Sequence, residues 1–409
     1  MSLPTITVLV GFQTTTGFGN PFQLDSATFG LLNTGTLGGL AFADLTSLVQ
    51  SVSISRGRSR QLDQFNAGTA TISFDNSSRI LDPTNTASVH YPNVLPRCPV
   101  IVKANDITIF SGIVTDWNLE YDIAGDDMMF ATCADQFTVL ANQALDAFTP
   151  SAQLSSVRVN TILDRPEITY QGARAIGTGS SQLGAFNITQ ETNVLNYLQQ
   201  VATSEQGFLF MSADGTLTFK GRSQVLNPVS GATFKDDNPN TGLPYQTLAN
   251  EFGDELLYNY IVTQSAAGAA QIASDATSIA LFQAQQLSLT DLLNSTTAVV
   301  ADIGDYLLGK YKDPQVRFTG VSTELLALST ANQNICLTLD LTSIATLTKT
   351  FATGSPASVS QTLIVSGISH NITPANHLIS YTFEATDGNA YLTLNDTIFG
   401  TLDNNLLAF

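Results

Sequence analysis

The first third of the chain alternates between apolar and polar residues in short runs, and each run is bounded by Gly, Pro, Asn or Asp. A period of two predicts strands, and the connections between the runs are too short for crossover helices. Antiparallel hairpins that close into a small barrel fit this pattern, since closure leaves no strand edge exposed. The predicted strands are Thr5–Phe12, Leu48–Ser55, Gly68–Asp75, Val100–Ala104, Thr108–Asp116 and Asp127–Thr132.

Helical periodicity enters in the middle of the chain. Asn193–Ser204 carries its apolar residues on one face at helical spacing, which predicts an amphipathic helix. Phe208–Ser212 and Thr216–Lys220 then read as the strands of a hairpin, joined by a two-residue turn at Asp214 and Gly215. The middle of the chain is therefore predicted to be an α+β block.

The last third returns to strand periodicity around one helical stretch. That helix is predicted from Leu289 to about Lys312 and is ended by Pro314. One or two β units with a helical insertion account for this pattern, so the predicted fold class is mainly β with an α+β middle block. The predicted strands are Glu255–Gln264, Gln315–Thr319, Asn334–Leu341, Thr362–Asn371 and His377–Ala385.

Two segments near the ends of the chain share the same spacing of apolar residues and glycine. Each is a candidate docking peptide, because exposed apolar side chains are tolerated mainly where a partner covers them. The alternative is that each segment only caps its own β unit. The matching positions are Leu24, Phe29, Gly30 and Leu32 in the first segment and Leu394, Phe399, Gly400 and Leu402 in the second.

Charge is scarce and strongly acidic. The 409 residues are 43% hydrophobic and only 12% charged, with 16 Lys and Arg against 34 Asp and Glu, which gives a formal net charge of -18. A sequence-independent binder of duplex DNA needs a cationic surface, so this function is disfavoured. A low share of charged residues is typical of exported, shell-like or assembly proteins.

Export and disulfide bonding are not expected. The apolar start of the chain has no Lys or Arg before it, as a signal peptide would, and no apolar run reaches the roughly 18 residues of a spanning helix. Cys98, Cys133 and Cys336 are odd in number and far apart, which argues against a disulfide framework. These features predict a protein made in a reducing cytosol.

Signatures of common enzyme classes are missing from the sequence. His90, His370 and His377 do not have the spacing of a metal site, and no Cys-x-x-Cys, Gly-x-Ser-x-Gly or Walker loop occurs. No catalytic residue, cofactor or metal is therefore predicted. His370 and His377 are expected to pair across neighbouring strands of one hairpin, as a surface or interface feature.

Several carboxylates leave two alternatives open. Asp116, Glu120 and Asp122 lie beside Trp117, the only tryptophan, and a pair of carboxylates next to an aromatic ring is how a sugar site or a glycosidase centre is often built. Asp126 and Asp127 also lie near Trp117, and ordinary turn chemistry is the alternative explanation for Asp122, Gly125 and Asp126. Asp75, Asn76 and Asp82 offer oxygens to Ca²⁺ but lack the full spacing of a calcium loop.

Three arginines alternate along the end of a predicted strand. Arg56, Arg58 and Arg60 would point to one face, where like charges repel unless carboxylates meet them. Asp63 and Asp82 within the fold, or carboxylates of a neighbouring subunit, are favoured over nucleic acid as their partners, since the chain is acidic.

The block from Asp44 to Ala104 resembles the amino-terminal module of minor tail proteins from long-tailed bacteriophages, especially actinobacterial siphophages. One added residue, in Arg97-Cys98-Pro99-Val100, departs from the family pattern. A weaker similarity continues along most of the chain. The residues that carry the resemblance are Asp44–Thr46 with Val49, Val52–Arg58, Leu62–Ala70, Phe74–Asn76, Leu81–Asn85, Tyr91–Val94, Pro96–Val100 and Phe110–Val114 with Trp117.

The resemblance implies a tail-tip hub, related to the trimeric baseplate hub of contractile-tail phages. In such a hub, two small antiparallel β-barrel units per chain form a pseudo-sixfold ring in a trimer. The ring would join the sixfold tail tube and distal tail ring to a threefold tip, contact the tape-measure protein and support tip or fibre proteins. Genomic DNA would pass its lumen only transiently, and contact with the host surface would be indirect. The expected location is the virion tail tip, assembled in the host cytoplasm.

The implied domain plan covers the whole sequence. The three cysteines do not reproduce the iron–sulfur cluster that some hubs carry, so no such centre is expected. A glycan-binding tail adhesin and a tail-associated cell-wall hydrolase are the alternative functions. The domains are 1–44, an N-terminal strand and docking arm; 45–145, the first β-barrel unit; 146–236, the α+β domain; 237–390, the second β-barrel unit with a helical insertion at about 289–312; and 391–409, a C-terminal arm.

Overall fold

The structure, a computed structural model, describes residues 2–12, 41–226, 230–236 and 241–386. All six strands predicted in the first third of the chain are present, and β2 is additional to them. A short 3₁₀ turn precedes β3. The strands are β1 (Ile6–Phe12), β2 (Ala41–Asp44), β3 (Val49–Gly57), β4 (Asn66–Asp75), β5 (Pro99–Ala104), β6 (Ile107–Glu120) and β7 (Met128–Ala134).

The middle of the chain combines short strands with helices, as predicted. Each of the strands described there has only two to four residues. The elements are α1 (Phe137–Ala141), β8 (Ala144–Leu145), β9 (Gln153–Leu154), α2 (Ser155–Leu163), β10 (Arg174–Ile176), β11 (Gln182–Leu183), β12 (Thr192–Asn193), α3 (Val194–Glu205), β13 (Phe208–Met211), β14 (Leu217–Lys220) and α4 (Arg222–Leu226).

The last part of the chain returns to longer strands. A second 3₁₀ turn follows β20. The elements are β15 (Ser230–Lys235), β16 (Thr247–Glu251), β17 (Tyr260–Ser265), β18 (Gln271–Ser274), α5 (Ala276–Phe282), β19 (Gln286–Leu292), α6 (Thr297–Tyr311), β20 (Arg317–Glu324), α7 (Thr330–Thr338), β21 (Ile344–Thr350), β22 (Ser358–Thr373) and β23 (Asn376–Ala385).

Thirteen strands from both ends of the chain form one sheet. The main path runs β16-β20-β23-β22-β3-β4-β7-β6-β5-β1-β2, and β21 and β15 branch from β22. The expectation of two closed barrels is not met: among the described residues, strand pairing closes neither half. The physical reason lies at β3, whose outer edge pairs with β22 of the other half. The fold class is mainly β, with 42% of the described residues in strands and 19% in helices.

β22 is the strand that joins the two halves. Its residues 358–364 pair with β21 and its residues 367–372 pair with β3, while β23 lies along its other edge. Gly57 ends β3 opposite Gly367, with a φ of +105°. A Cβ on Gly57 would lie 2.3 Å from the carbonyl oxygen of Ser366, so a larger residue does not fit this junction.

The helix and hairpin predicted for the middle block are confirmed, with one difference in the turn. Asn193 caps α3 by accepting a hydrogen bond from the backbone N–H of Asn196. The turn between β13 and β14 has three residues rather than two, because the Ser212 N–H donates to the carbonyl of Thr216. Gly215 supplies the positive φ, 86°, that this turn needs.

A small unit with its own core is inserted between β16 and β20. β17 pairs with β18 and β19, and α6 covers one face of this sheet, where Ile261, Val300 and Ile303 are buried together. The predicted strand Glu255–Gln264 therefore belongs to the insertion and not to the main sheet.

Two predictions of secondary structure in this part of the chain are wrong. The helix expected from Leu289 begins only at Thr297, because residues 286–292 pair with β17. The strand expected at Asn334–Leu341 is mostly the helix α7. The alternation of apolar residues there imitates a strand, but Ser329 caps the segment as a helix.

Candidate functional site

Arg56 connects the main sheet to two other parts of the fold. It continues the buried face of β3, and its Nη2 donates to the carbonyl of Met211 at 3.0 Å and to Oδ1 of Asp340 at 2.7 Å. The other oxygen of Asp340 accepts from the N–H of Ala213 at 2.8 Å. One buried cation therefore joins β3, the β13–β14 hairpin and the segment after α7.

Arg58 lies just beyond β3 and is held by a buried carboxylate. Its Nη2 donates to Oε2 of Glu384 at 2.5 Å, and its Nη1 donates to the backbone carbonyl of Asp63 at 2.8 Å. The guanidinium carbon lies 4.7 Å from the ring centre of Phe65 and 5.0 Å from that of Phe208. This is a cation–π arrangement within a largely buried ion pair.

Arg60 pairs at the surface. Its Nε lies 2.7 Å from Oε1 of Glu255, close to the start of the insertion, and both side chains are more than half exposed. Exposed pairs of this kind contribute little to stability. We call residues 56–60 the arginine segment; in the structure each of its three arginines meets a carboxylate from the C-terminal half of the chain.

Arg58 and residues 61–64 form one wall of a cleft of about 120 Å³. The end of α3 and the start of β13 form the second wall, the insertion forms the third, and β22 and β23 contribute Ile364 and Glu384. Apolar side chains from all three walls line it, among them Leu62, Phe208 and Leu289. We call this space the junction cleft.

Neither carboxylate suggested from the sequence pairs with these arginines through its side chain. Asp63 offers Arg58 only its backbone carbonyl. Asp82 is fully buried and accepts hydrogen bonds from Arg79, Thr84 and Tyr121. Burial opposes its ionisation, but these hydrogen bonds outweigh that effect and lower the pKa of Asp82 to about 2.

Several of the candidate calcium and sugar residues make structural contacts. Within the described ranges, no three His, Cys, Asp or Glu side chains converge as metal ligands. Trp117 donates its indole N–H to the carbonyl of Leu95 at 2.9 Å. Asp122 and Asp127 accept backbone N–H groups within the β6–β7 turn. These carboxylates therefore form the hydrogen bonds that turn chemistry predicts.

His370 and His377 pair across β22 and β23 as predicted, but they are buried rather than at the surface. Nδ1 of His370 lies 3.1 Å from Nε2 of His377, and Nδ1 of His377 has no hydrogen-bond partner among the described residues. Burial lowers the pKa of His370 well below its usual value, and His377 and Arg56 add to this effect. Burial alone lowers the pKa of His377 to about 4.

The histidine pair predicts a loss of stability in mild acid. Both folded-state pKa values lie below the unfolded value near 6.5, so the unfolded chain binds more protons as the pH falls below 6.5. Each histidine contributes a loss of about 1.4 kcal/mol per pH unit until its folded-state pKa is reached. Urea unfolding at pH 7.5 and 5.5 measures the loss, and His377→Gln should reduce the loss between these two pH values by about 1.4 kcal/mol.

The variant His377→Gln is needed as a comparison because the protonation of Asp135 stabilises the folded chain in mild acid, whereas the histidines destabilise it. Burial raises the pKa of Asp135 to about 6, although the backbone N–H groups of Gly68 and Phe137 partly offset this. Its folded state therefore gains stability as the pH falls from 6 towards 3.8. An equal slope in the variant and the natural chain would contradict the assignment to the histidines.

Glu205 is a buried carboxylate that the sequence analysis missed. It is fully buried at the end of α3 and accepts hydrogen bonds from five donors: Ser155 Oγ, the N–H and Oγ of Ser180, the N–H of Ser181 and the N–H of Arg222. Burial opposes its ionisation, but these bonds lower its pKa below the usual value. The sequence contains one indication of this burial. Glu205 lies four residues after Val201, which places it on the apolar face of α3.

The cysteines and the helices of the structure add two further facts. Cys98, Cys133 and Cys336 are buried free thiols, and burial raises the pKa of Cys133 and Cys336 to about 12. In the part of the chain that the structure describes, no helix combines the length and the apolar character needed to span a membrane.

The fold is shared with solved bacteriophage tail proteins. A tail protein from Neisseria meningitidis MC58 matches with a TM-score of 0.60 at 10% identity, over 93% of this chain and 96% of that one. The 43 kDa tail protein of prophage MuSo2 from Shewanella oneidensis matches with a TM-score of 0.57 at 11% identity, over 94% and 97%. A chain of the Francisella PdpA–VgrG complex matches with a TM-score of 0.51 at 8% identity, over 96% and 57%.

The similarity is one of structure. No family model matches the sequence, and no curated protein is similar to it at the sequence level. The matches to the two tail proteins extend over nearly the full length of both chains. They confirm, at the level of the fold, the resemblance to phage tail proteins that residues 44–104 carry.

Proposed function

We propose that this chain is a structural hub of a bacteriophage tail tip. Three copies form a ring that joins the sixfold tail tube and distal tail ring to a threefold tip. The ring frames the DNA channel, contacts the tape-measure protein and supports receptor-binding proteins. The fold shared with phage tail proteins over nearly the whole chain supports a structural role in the tail.

The observation that carries the ring proposal is the pair of open edges of the main sheet. Within the described residues, β16 pairs only with β20, and β2 pairs only with β1. Exposed edges of this kind invite pairing with another chain. Phe42 on β2 and Phe252 just after β16 are 44% and 69% exposed, so each edge also presents an apolar side chain.

The two edges differ, so they suit a ring. Contact between β16 of one copy and β2 of the next is head-to-tail, and a head-to-tail contact closes into a ring when its rotation allows. Each chain brings two β halves to the sheet, so three chains bring six. The six β halves match the sixfold symmetry of the tail tube, and the three chains match the threefold symmetry of the tip.

The charge of the chain suits a channel through which DNA moves. A net charge of -18 per chain repels phosphates, so DNA in transit would not be held. The arginines of residues 56–60 do not contradict this, because each meets a carboxylate within the fold. In the hub, we assign the buried Arg56 and Arg58 to holding the two halves of the main sheet in fixed positions.

The two repeated peptides are proposed as arms that dock on neighbouring tail proteins. Phe29, Gly30 and Leu32, and likewise Phe399, Gly400 and Leu402, lie outside the described residues. Two related peptides per chain give six in a trimer. A sixfold neighbour such as the distal tail ring would offer one equivalent groove to each of them.

A charge placed at either open edge should weaken the ring. Phe252→Asp or Phe42→Asp puts a carboxylate where an apolar contact between copies is proposed, and we expect the dissociation constant of the trimer to rise at least tenfold, about 1.4 kcal/mol. Ile123→Asp is the matched control, since Ile123 is fully exposed on the turn between β6 and β7, two interior strands. Sedimentation equilibrium measures the effect, and equal mass distributions for all three variants would contradict the edge contact.

A further inference from the structure

The junction cleft has no assigned occupant, and its lining is mixed. Leu62, Phe208, Leu289, Leu307 and Ile364 present apolar surface from four different parts of the fold. The amide of Gln61 also lines it and can both donate to and accept from a backbone. Arg58, Asp63, Lys310 and Glu384 also line the cleft, but Arg58 and Glu384 pair with each other. The apolar part of the lining suits a short extended segment with apolar side chains.

The last residues that the structure describes, at the end of β23, lie beside this cleft. Glu384, which lines the cleft, is the second-last residue of β23. Thr386 is still attached to the sheet through its hydroxyl, which donates to the carbonyl of Thr362 at 2.9 Å. The following residues, 387–409, therefore start within a few residues of the cleft.

The sequence of residues 387–409 needs an apolar partner. It contains nine large apolar residues and three Asp, with no Lys or Arg. Surface of this kind is normally covered. The first of these apolar residues are Tyr391, Leu392 and Leu394, seven to ten positions after Glu384, and an extended chain covers about 3.3 Å per residue. They can therefore reach every wall of the cleft.

We propose that the chain's own residues 391–394 anchor in the junction cleft. In an extended segment, Leu392 and Leu394 point to the same side, and this side would meet Leu62, Leu289 and Leu307. The anchor fixes the point from which Phe399, Gly400 and Leu402 project. The proposal that those distal residues bind neighbouring tail proteins rests on the proposed function. The proposal that residues 391–394 anchor in the cleft does not depend on it.

Thiol labelling of the full chain tests the anchor. Leu289→Cys places a thiol in the cleft wall, and the three natural cysteines are buried and react slowly. We expect maleimide labelling at position 289 to become at least tenfold faster when Leu392→Asp and Leu394→Asp are added. Leu406→Asp with Leu407→Asp is the matched control, with the same changes further along the segment, and it should leave the rate unchanged.

Three outcomes of the labelling would overturn the proposal. These are fast labelling in all backgrounds, slow labelling in all backgrounds, and equal acceleration by both pairs of substitutions. The labelling uses the isolated chain without tail neighbours. A failure to join the tail with the anchor intact would therefore count against the proposed function alone.

A cross-link decides between the chain's own segment and that of a neighbouring copy, and it remains informative if the aspartate variants do not fold. Leu289→Cys with Leu392→Cys should oxidise to a product that runs as a single chain on a non-reducing gel. Leu289→Cys with Leu406→Cys should cross-link at least tenfold less. A product of two or more chains, or equal yields from both pairs, would overturn the anchor within one chain.

Discussion

Replacing Glu384 by alanine is expected to lower the free energy of unfolding by about 3–5 kcal/mol, because the change leaves Arg58 buried without its carboxylate. The side chains of Arg58 and Glu384 are only 10% and 3% exposed, so water cannot replace the lost partner. The two residues are 326 positions apart, and their pairing joins the two halves of the main sheet. Urea unfolding at pH 7 measures the change.

The arginine segment provides its own control for this experiment. Glu255→Ala removes the partner of Arg60, but that pair is more than half exposed, so the expected loss is less than about 1 kcal/mol. Arg58→Met combined with Glu384→Leu should recover most of the stability, since no buried charge is left unpaired. A loss for Glu384→Ala no larger than that for Glu255→Ala would contradict the role of this ion pair.

Replacing Glu205 by alanine is expected to cost about 3–5 kcal/mol at pH 7. The five donors that converge on its carboxylate come from Ser155, Ser180, Ser181 and Arg222, and without it several of them would be buried and unsatisfied. Ser155→Ala removes only one donor and should cost about 1 kcal/mol. Urea unfolding of both variants gives the comparison.

The effect of Glu205 should depend on pH in a defined direction. Its folded-state pKa lies below the usual value of 4.5, so its contribution is fully present above pH 4.5 and is lost as the pH falls through the folded-state pKa. The difference between the natural chain and Glu205→Ala should therefore shrink in acid. Glu120→Ala, which alters an exposed carboxylate on β6, should change stability by less than about 0.5 kcal/mol. A difference that does not change with pH would contradict the role of the ionised carboxylate.

Much of the secondary structure could be predicted from local pattern. The strands of the first third and α3 follow directly from periods of two and 3.6. α7 could not be predicted in this way, because its alternating apolar residues also fit a strand. Its buried Gln333 donates to the carbonyls of Leu325 and Leu328 and to that of Ser2, which is 331 residues away, so a contact distant in sequence helps to fix the helix.

The arrangement of the sheet depends on contacts that no local pattern contains. The sequence predicts hairpins, and a hairpin-built β unit closes its edges most simply by forming a barrel. In the structure, Gly57 and Gly367 allow β3 and β22 to meet, and one sheet results. This pairing joins residues near opposite ends of the chain, so only the folded chain reveals it.

The contacts of the candidate site could likewise be predicted only in part from the sequence. The pattern at Arg56, Arg58 and Arg60 indicates that carboxylates should meet these residues, because three like charges on one segment repel. It does not indicate which carboxylates, and the two suggested ones, Asp63 and Asp82, have other roles. Asp340, Glu384 and Glu255 come to the arginines only through the tertiary fold.

The mass of the purified chain in solution tests the hub proposal most directly. Light scattering over a concentration series, with and without the tail proteins that neighbour it, should give a stable mass near three times the 43.5 kDa of one chain. That result would support a trimeric ring. A mass of one chain at every concentration, unchanged when the neighbours are added, would contradict the proposal that this protein is a tail-tip hub.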